Sequence, residues 1–162
     1  RSPSRGLGDV YKRQIKGGSI TLTDGDVNVF QNLQRITFCF WSFLRVIDHQ
    51  YNTIFYQSGI LHFFIDKNNM SFIVVLGGQI MTWDLTSFVD IWKHYTVVID
   101  YSETDPLQKV LLFINGVSQG TASKSGTDNT DVAYPATTDK LYIGSHDGTQ
   151  IGFDGYIDDV RI

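Results

Sequence analysis

The chain holds a single glutamate, Glu103, in the segment Ser102 to Gln108 beside Pro106. Hydrolysis of a glycosidic bond with retention needs two carboxylates about 5 Å apart, one as nucleophile and one as general acid. Glu103 has no glutamate partner, and the aspartates Asp24 and Asp26 flank a turn glycine instead of occupying the middle of a strand. The four histidines, His49, His62, His94 and His146, are scattered and lack the His-x-x-x-His or Cys-rich spacing that closes a zinc site. No serine stands in a G-x-S-x-G elbow. Cys39, the one cysteine, lies among Phe38, Phe40 and Trp41, as a thiol packed in a buried strand would. These residues point away from catalysis, and the chain is expected not to be an enzyme.

What remains is a vocabulary for recognition. Sugars stack their apolar faces on aromatic rings and hydrogen-bond through their hydroxyls. Rings stand beside amides or carboxylates at Tyr51-Asn52 and Trp83-Asp84, Tyr134 adds a further ring, and Asn68-Asn69 adds a pair of amides. Ser145-His146-Asp147-Gly148 is a polar turn after an apolar run. Trp83, Asp84, Tyr134, His146 and Asp147 lie in or beside expected turns, and they are expected to form a ligand-binding patch on one rim of the domain.

The elements that must position such a patch are strands. Apolar residues alternate at Ile20/Leu22, Ile36/Phe38/Phe40, Phe63/Ile65, Phe72/Val74/Leu76, Tyr95/Val97/Ile99 and Val110/Leu112/Ile114. Turn chemistry separates them at Asp24-Gly25-Asp26, Lys67-Asn68-Asn69, Gly77-Gly78, Asn115-Gly116 and Asp147-Gly148. No stretch has a helical period, and Gly120 to Thr138 reads as a long polar loop. Many short strands with hairpin turns predict an all-β, two-sheet sandwich or jelly roll. From Ile36 to Ile47 both parities are apolar, with Phe38 and Phe40 opposed by Trp41 and Phe43. A sheet in a sandwich buries one face, so these rings imply either loop cover or an exposed aromatic surface.

Ser4 to Gln14 stands apart from this pattern. It reads S-R-G-L-G-D-V-Y-K-R-Q, which back-translates to a string that resembles a transposase adapter used in sequencing libraries. Residues 1–14 are therefore expected to be an artefactual leader, and residues 15–162 one domain of a longer protein, truncated at both ends and taken from an environmental read. The leader carries Arg1, Arg5, Lys12 and Arg13 against Asp9, so of 13 basic and 17 acidic residues the domain keeps 9 and 16, a net charge of −7. An acidic surface with scattered cations offers no stripe for phosphates, which argues against nucleic acid. No apolar run reaches spanning length, which argues against membrane insertion.

Five signatures occur in order. They are I-T-F-C-F-W-S-F from Ile36, W-K-H from Trp92, F-I-N-G from Phe113, L-Y-I-G from Leu141 and F-D-G-Y-I-D-D-V-R-I from Phe153. In order and spacing they resemble the laminin-G-like branch of the concanavalin A-like jelly rolls, across about residues 19–162. The resemblance implies an antiparallel two-sheet jelly roll whose usual role is recognition. It implies a module that binds glycans or surface proteins beside neighbouring domains of a secreted, cell-surface or phage-tail protein. A purely structural sandwich is the alternative, with a glycoside hydrolase a distant third. By analogy with the family's W-x-H strand, His94 is expected to be structural.

The family often carries calcium, and its first and last strands lie close together. In the closing motif Tyr156, Asp158, Val160 and Ile162 share one parity, which would turn Asp158 toward the core. A buried carboxylate is costly unless paired or metal-bound. Asp24, Asp26 and Asp158 are therefore the expected Ca2+ ligands, with hydrogen bonding of Asp158 to loop amides as the alternative.

Overall fold

Strands with one apolar parity bury it by facing a second sheet, and two sheets do so here. In this computed structural model the described residues are 15–16, 19–23, 30–45, 50–131, 133–146 and 152–162. The strands are β1 (Ile15–Lys16), β2 (Ile20–Leu22), β3 (Arg35–Leu44), β4 (Tyr51–Gln57), β5 (Leu61–Asp66), β6 (Ser71–Leu76) and β7 (Gln79–Asp84). They continue with β8 (Trp92–Asp100), β9 (Val110–Ile114), β10 (Val117–Ser118), β11 (Ser123–Gly126), β12 (Leu141–Ile143) and β13 (Gly155–Arg161). One sheet has the order β1-β13-β3-β8-β9-β10, and the other β11-β7-β6-β5-β4-β12-β2. Every pairing within them is antiparallel. The expected two-sheet antiparallel sandwich is what forms, and no helix among the described residues is long and apolar enough to cross a membrane.

The core is an aromatic layer between the sheets. Phe38 and Phe40 of the first sheet meet Phe55 of the second edge-on, at 5.1 and 5.3 Å between centroids, and Tyr95 stacks on both Phe40 and Phe72 at 5.3 Å. All of these rings are essentially inaccessible to water. Edge and stacked geometries of this kind add about 0.5–1.5 kcal/mol per pair to the gain from burial.

Buried polar side chains tie loops to this core. Gln79 donates from Nε2 to the Pro106 carbonyl at 2.8 Å, and the buried Lys109 amine donates to the carbonyls of Asn129 and Asp131 at 2.9 and 3.1 Å. The polar stretch after Gly120 is therefore held in place, and part of it is strand β11, which pairs with β7 from Ser123↔Thr82 to Gly126↔Gln79. A loop was expected there. An edge strand with all its side chains exposed has no apolar alternation to reveal it. Cys39 differs in a smaller way: it is half-buried on the outer face of β3, its thiol 3.7 Å from the Thr96 hydroxyl.

The Asn115-Gly116 pair forms the expected two-residue hairpin between β9 and β10, with φ of 50° and 77°. Both values lie in the left-handed region, which Asn and Gly tolerate best. A Cβ at Gly116 would meet open space, so any penalty there is backbone strain alone. Gly116→Val should therefore destabilise the domain by about 1–2 kcal/mol, and Gly116→Asn by much less. Urea unfolding of the two variants checks this; equal midpoints would mean the turn does not need its left-handed geometry.

Candidate functional site

The apolar residues of β3 that do not enter the core lie on the outer face of the first sheet. Register then aligns them across three strands. Tyr156 of β13, Phe43 of β3 and Trp92 of β8 form one row, and Asp158, Trp41 and His94 form the next. Ring centroids lie 6.1 Å apart for Phe43 and Tyr156, 5.5 Å for Phe43 and Trp92, and 5.2 Å for Trp41 and His94. Trp41 and Trp92 each remain 39% exposed, an unusual state for two large rings on one sheet face.

The hairpin after β9 closes the second row. Asn115 donates its backbone N–H to the His94 carbonyl at 2.8 Å and accepts the His94 backbone N–H on Oδ1 at 2.9 Å. The turn is thereby clamped to β8. Trp41, Trp92, His94 and Asn115 line an open cleft of about 520 Å³. Two indoles, an imidazole and an amide can hold a ligand by stacking and by hydrogen bonds to hydroxyls. The described residues that line it include no carboxylate.

A second ring cluster lies on the outer face of the other sheet. Tyr56 packs against His146 at 3.7 Å between centroids and against His62 at 5.2 Å, and the two imidazoles are 5.2 Å apart. His62 Nε2 lies 3.0 Å from the Thr53 hydroxyl. Burial, with a smaller contribution from the neighbouring His146 charge, lowers the His62 pKa to about 4. His62 is thus held neutral near pH 7, in a packed rather than a ligand-ready environment.

The expected rim patch is not assembled as such. Trp83 is buried, its indole N–H donating to the Gly120 carbonyl at 3.1 Å, because it shares the inward parity of Met81 on β7. Tyr134 is also buried, with its hydroxyl bonded to Gln57 and its ring edge-on to Phe30 and Tyr101. Both are core residues. Asp84 is exposed at the end of β7, and His146 sits in the cluster on Tyr56. Asp147 lies outside the described residues.

The reasoning for a metal at Asp158 also changes. A register shift between Asp158 and Arg161, with Asp159 at φ 47°, inserts an extra residue into β13. Ile157 and Val160 therefore both face the core, while Asp158 turns outward beside Trp41 and accepts the Asp159 backbone N–H at 2.8 Å. The carboxylate needs no buried cation. Asp24 and Asp26 lie outside the described residues, and among the described residues no three His, Cys, Asp or Glu side chains group closely enough to hold a metal ion. His94, expected to be structural, packs edge-on to Trp41 and also lines the cleft.

Residues 16–162 match the family described as the concanavalin A-like lectin/glucanases superfamily. No curated protein sequence matches the chain. Among solved structures, the CBM40 domain of a Ruminococcus gnavus IT-sialidase, bound to α2,3-sialyllactose, is 13% identical with a TM-score of 0.57, covering 94% of this chain and 92% of that one. Domain 4 of AbnA, a GH43 extracellular arabinanase from Geobacillus stearothermophilus in complex with arabinotriose, is 20% identical with a TM-score of 0.52, over 91% and 67%. A heptameric SAP-like pentraxin from Limulus polyphemus is 12% identical with a TM-score of 0.55, over 90% and 69%. At such identities the likeness is one of fold.

Proposed function

The chain belongs to the concanavalin A-like lectin/glucanase superfamily, and we propose that it is a non-catalytic recognition module that binds glycan in the cleft on its six-stranded sheet. The observation that carries this reading is the pair of exposed indoles, Trp41 and Trp92, on neighbouring strands beside His94 and Asn115. An exposed tryptophan gives up favourable burial, and two on one face are best accounted for by a ligand with a flat apolar side and polar edges. Two solved structures of this fold that hold oligosaccharides, the CBM40 domain and domain 4 of AbnA, support the class of ligand.

The test is a glycan array followed by titration calorimetry on whichever glycan is retained. Trp41→Ala and Trp92→Ala should each weaken binding by about tenfold or more, the cost of removing a central aromatic anchor. Thermal midpoints should change little, because both rings lie outside the core. Binding that survives both substitutions would place the ligand elsewhere. Release of reducing ends from the bound glycan would instead support a hydrolase, and no binding to any glycan would favour a purely structural sandwich.

A further inference from the structure

Resting on that reading, the charges around the cleft point to the class of glycan. We infer that the site takes neutral sugars and discriminates against those bearing a carboxylate, such as sialic and uronic acids.

Four described cations of or beside this sheet, Arg35, Arg45, Lys93 and Arg161, each have a partner. Arg45 Nη2 lies 3.2 Å from Asp154 Oδ1, with its guanidinium 5.7 Å over the Tyr156 ring. Arg161 binds Asp159 through two contacts, at 2.8 and 3.2 Å, and Arg35 lies 2.6 Å from Asp100. Lys93 stands between Trp92 and His94 but takes the opposite parity, and its amine donates to the Ser87 carbonyl. Lys16 holds the register position opposite Tyr156, so its backbone stands one strand from Asp158, two from Trp41 and three from Trp92, at ~4.8 Å per strand. Asp158 differs from all of these. It stands directly across from Trp41, and among the described residues its carboxylate meets only the Asp159 backbone N–H and no cation.

A sugar stacked on Trp41 therefore lies beside a carboxylate that no described cation contacts. Neutral hydroxyls can donate to that carboxylate, whereas a second carboxylate at about 7 Å would be repelled. At an effective dielectric between those of the protein surface and of water, the repulsion amounts to about tenfold in affinity.

The experiment prints matched glycans, each neutral oligosaccharide beside its sialylated or uronic-acid counterpart, and measures binding at pH 8 and low salt. Neutral members should bind about tenfold more tightly, and the gap should narrow as salt screens the charge. Asp158→Asn keeps the acceptor oxygen for the Asp159 amide while removing the charge, so a purely structural role would leave the neutral-to-acidic ratio unchanged. The inference requires that ratio to fall severalfold. Acidic members that bind as well as neutral ones, with Trp41→Ala abolishing both, would overturn the charge preference and leave the indole platform standing. Binding indifferent to Trp41→Ala, or no binding to any member, would overturn both.

Discussion

Gly155→Ala should destabilise the domain by about 3 kcal/mol, the upper range for forcing extra volume into a packed site. Gly155 opens β13 opposite Leu44, and a Cβ there would stand 2.0 Å from the Phe43 carbonyl oxygen and 3.0 Å from both Leu44 Cα and the Phe153 ring. Two of these obstacles are backbone. β3 cannot retreat, because Phe43 is paired on its other side with Trp92 of β8. Relief would therefore come from parting β13 and β3, which also shifts the rings beside the cleft, so glycan binding should fall along with stability. Gly152→Ala is the matched control, since a Cβ there would lie 3.7 Å from its nearest neighbour, the Gly144 carbonyl. At about 2–4 °C per kcal/mol for a domain of this size, the two variants should melt roughly 10 °C apart. Coincident melting curves would show that β13 is not held against β3 as described.

Acidification should remove a comparable amount. A free imidazole titrates near 6.5, whereas His62 in the folded domain titrates near 4. Between those values the unfolded chain takes up a proton that the folded one refuses, so stability is fully present above about pH 6.5 and declines as pH falls toward 4. The gap corresponds to about 3 kcal/mol, as an order of magnitude. Carboxylates titrate in the lower part of the same range, so the informative quantity is a difference between proteins. His62→Gln removes the titration and retains a polar partner for Thr53. Urea unfolding at pH 7.5 and at pH 4 should show the parent losing more stability than the variant by about that amount. Equal losses would mean that His62 is protonated without resistance.

The sandwich was legible because burial imposes a period of two. Phe38 and Phe40, Phe63 and Ile65, and Val110, Leu112 and Ile114 alternate in sequence and are all buried. Three motif glycines have direct physical causes: Gly116 and Gly144 take positive φ, and Gly155 leaves room for a carbonyl. The bulge in β13 was not legible, because one inserted residue exchanges inside for outside with no change in composition, and it reversed the reading of Asp158. Trp83 and Tyr134 failed for a related reason, since closeness to a turn says nothing about which side of the sheet a ring takes.

The site was half visible. Apolar residues on both parities of β3 signalled an outer aromatic surface, and Trp92 shares its parity with His94. What joins Trp41, Trp92 and Asn115 is strand register between distant segments, which local pattern does not encode.

The order of the six-stranded sheet also sets a timetable for synthesis. Strands β4 to β7 pair each with the next, so that meander can form as soon as it emerges from the ribosome. β3 has to wait for β8 on one side, and on the other for β13, which fits between β1 and β3 and is translated after every other described strand. Until then one edge of β3 is an open row of backbone donors and acceptors, carrying the exposed Trp41 and the half-buried Phe43. The outer aromatic face of this sheet is thus completed only after every other described strand has been made. That face is most vulnerable to wrong pairing during the interval in which β13 is still being made.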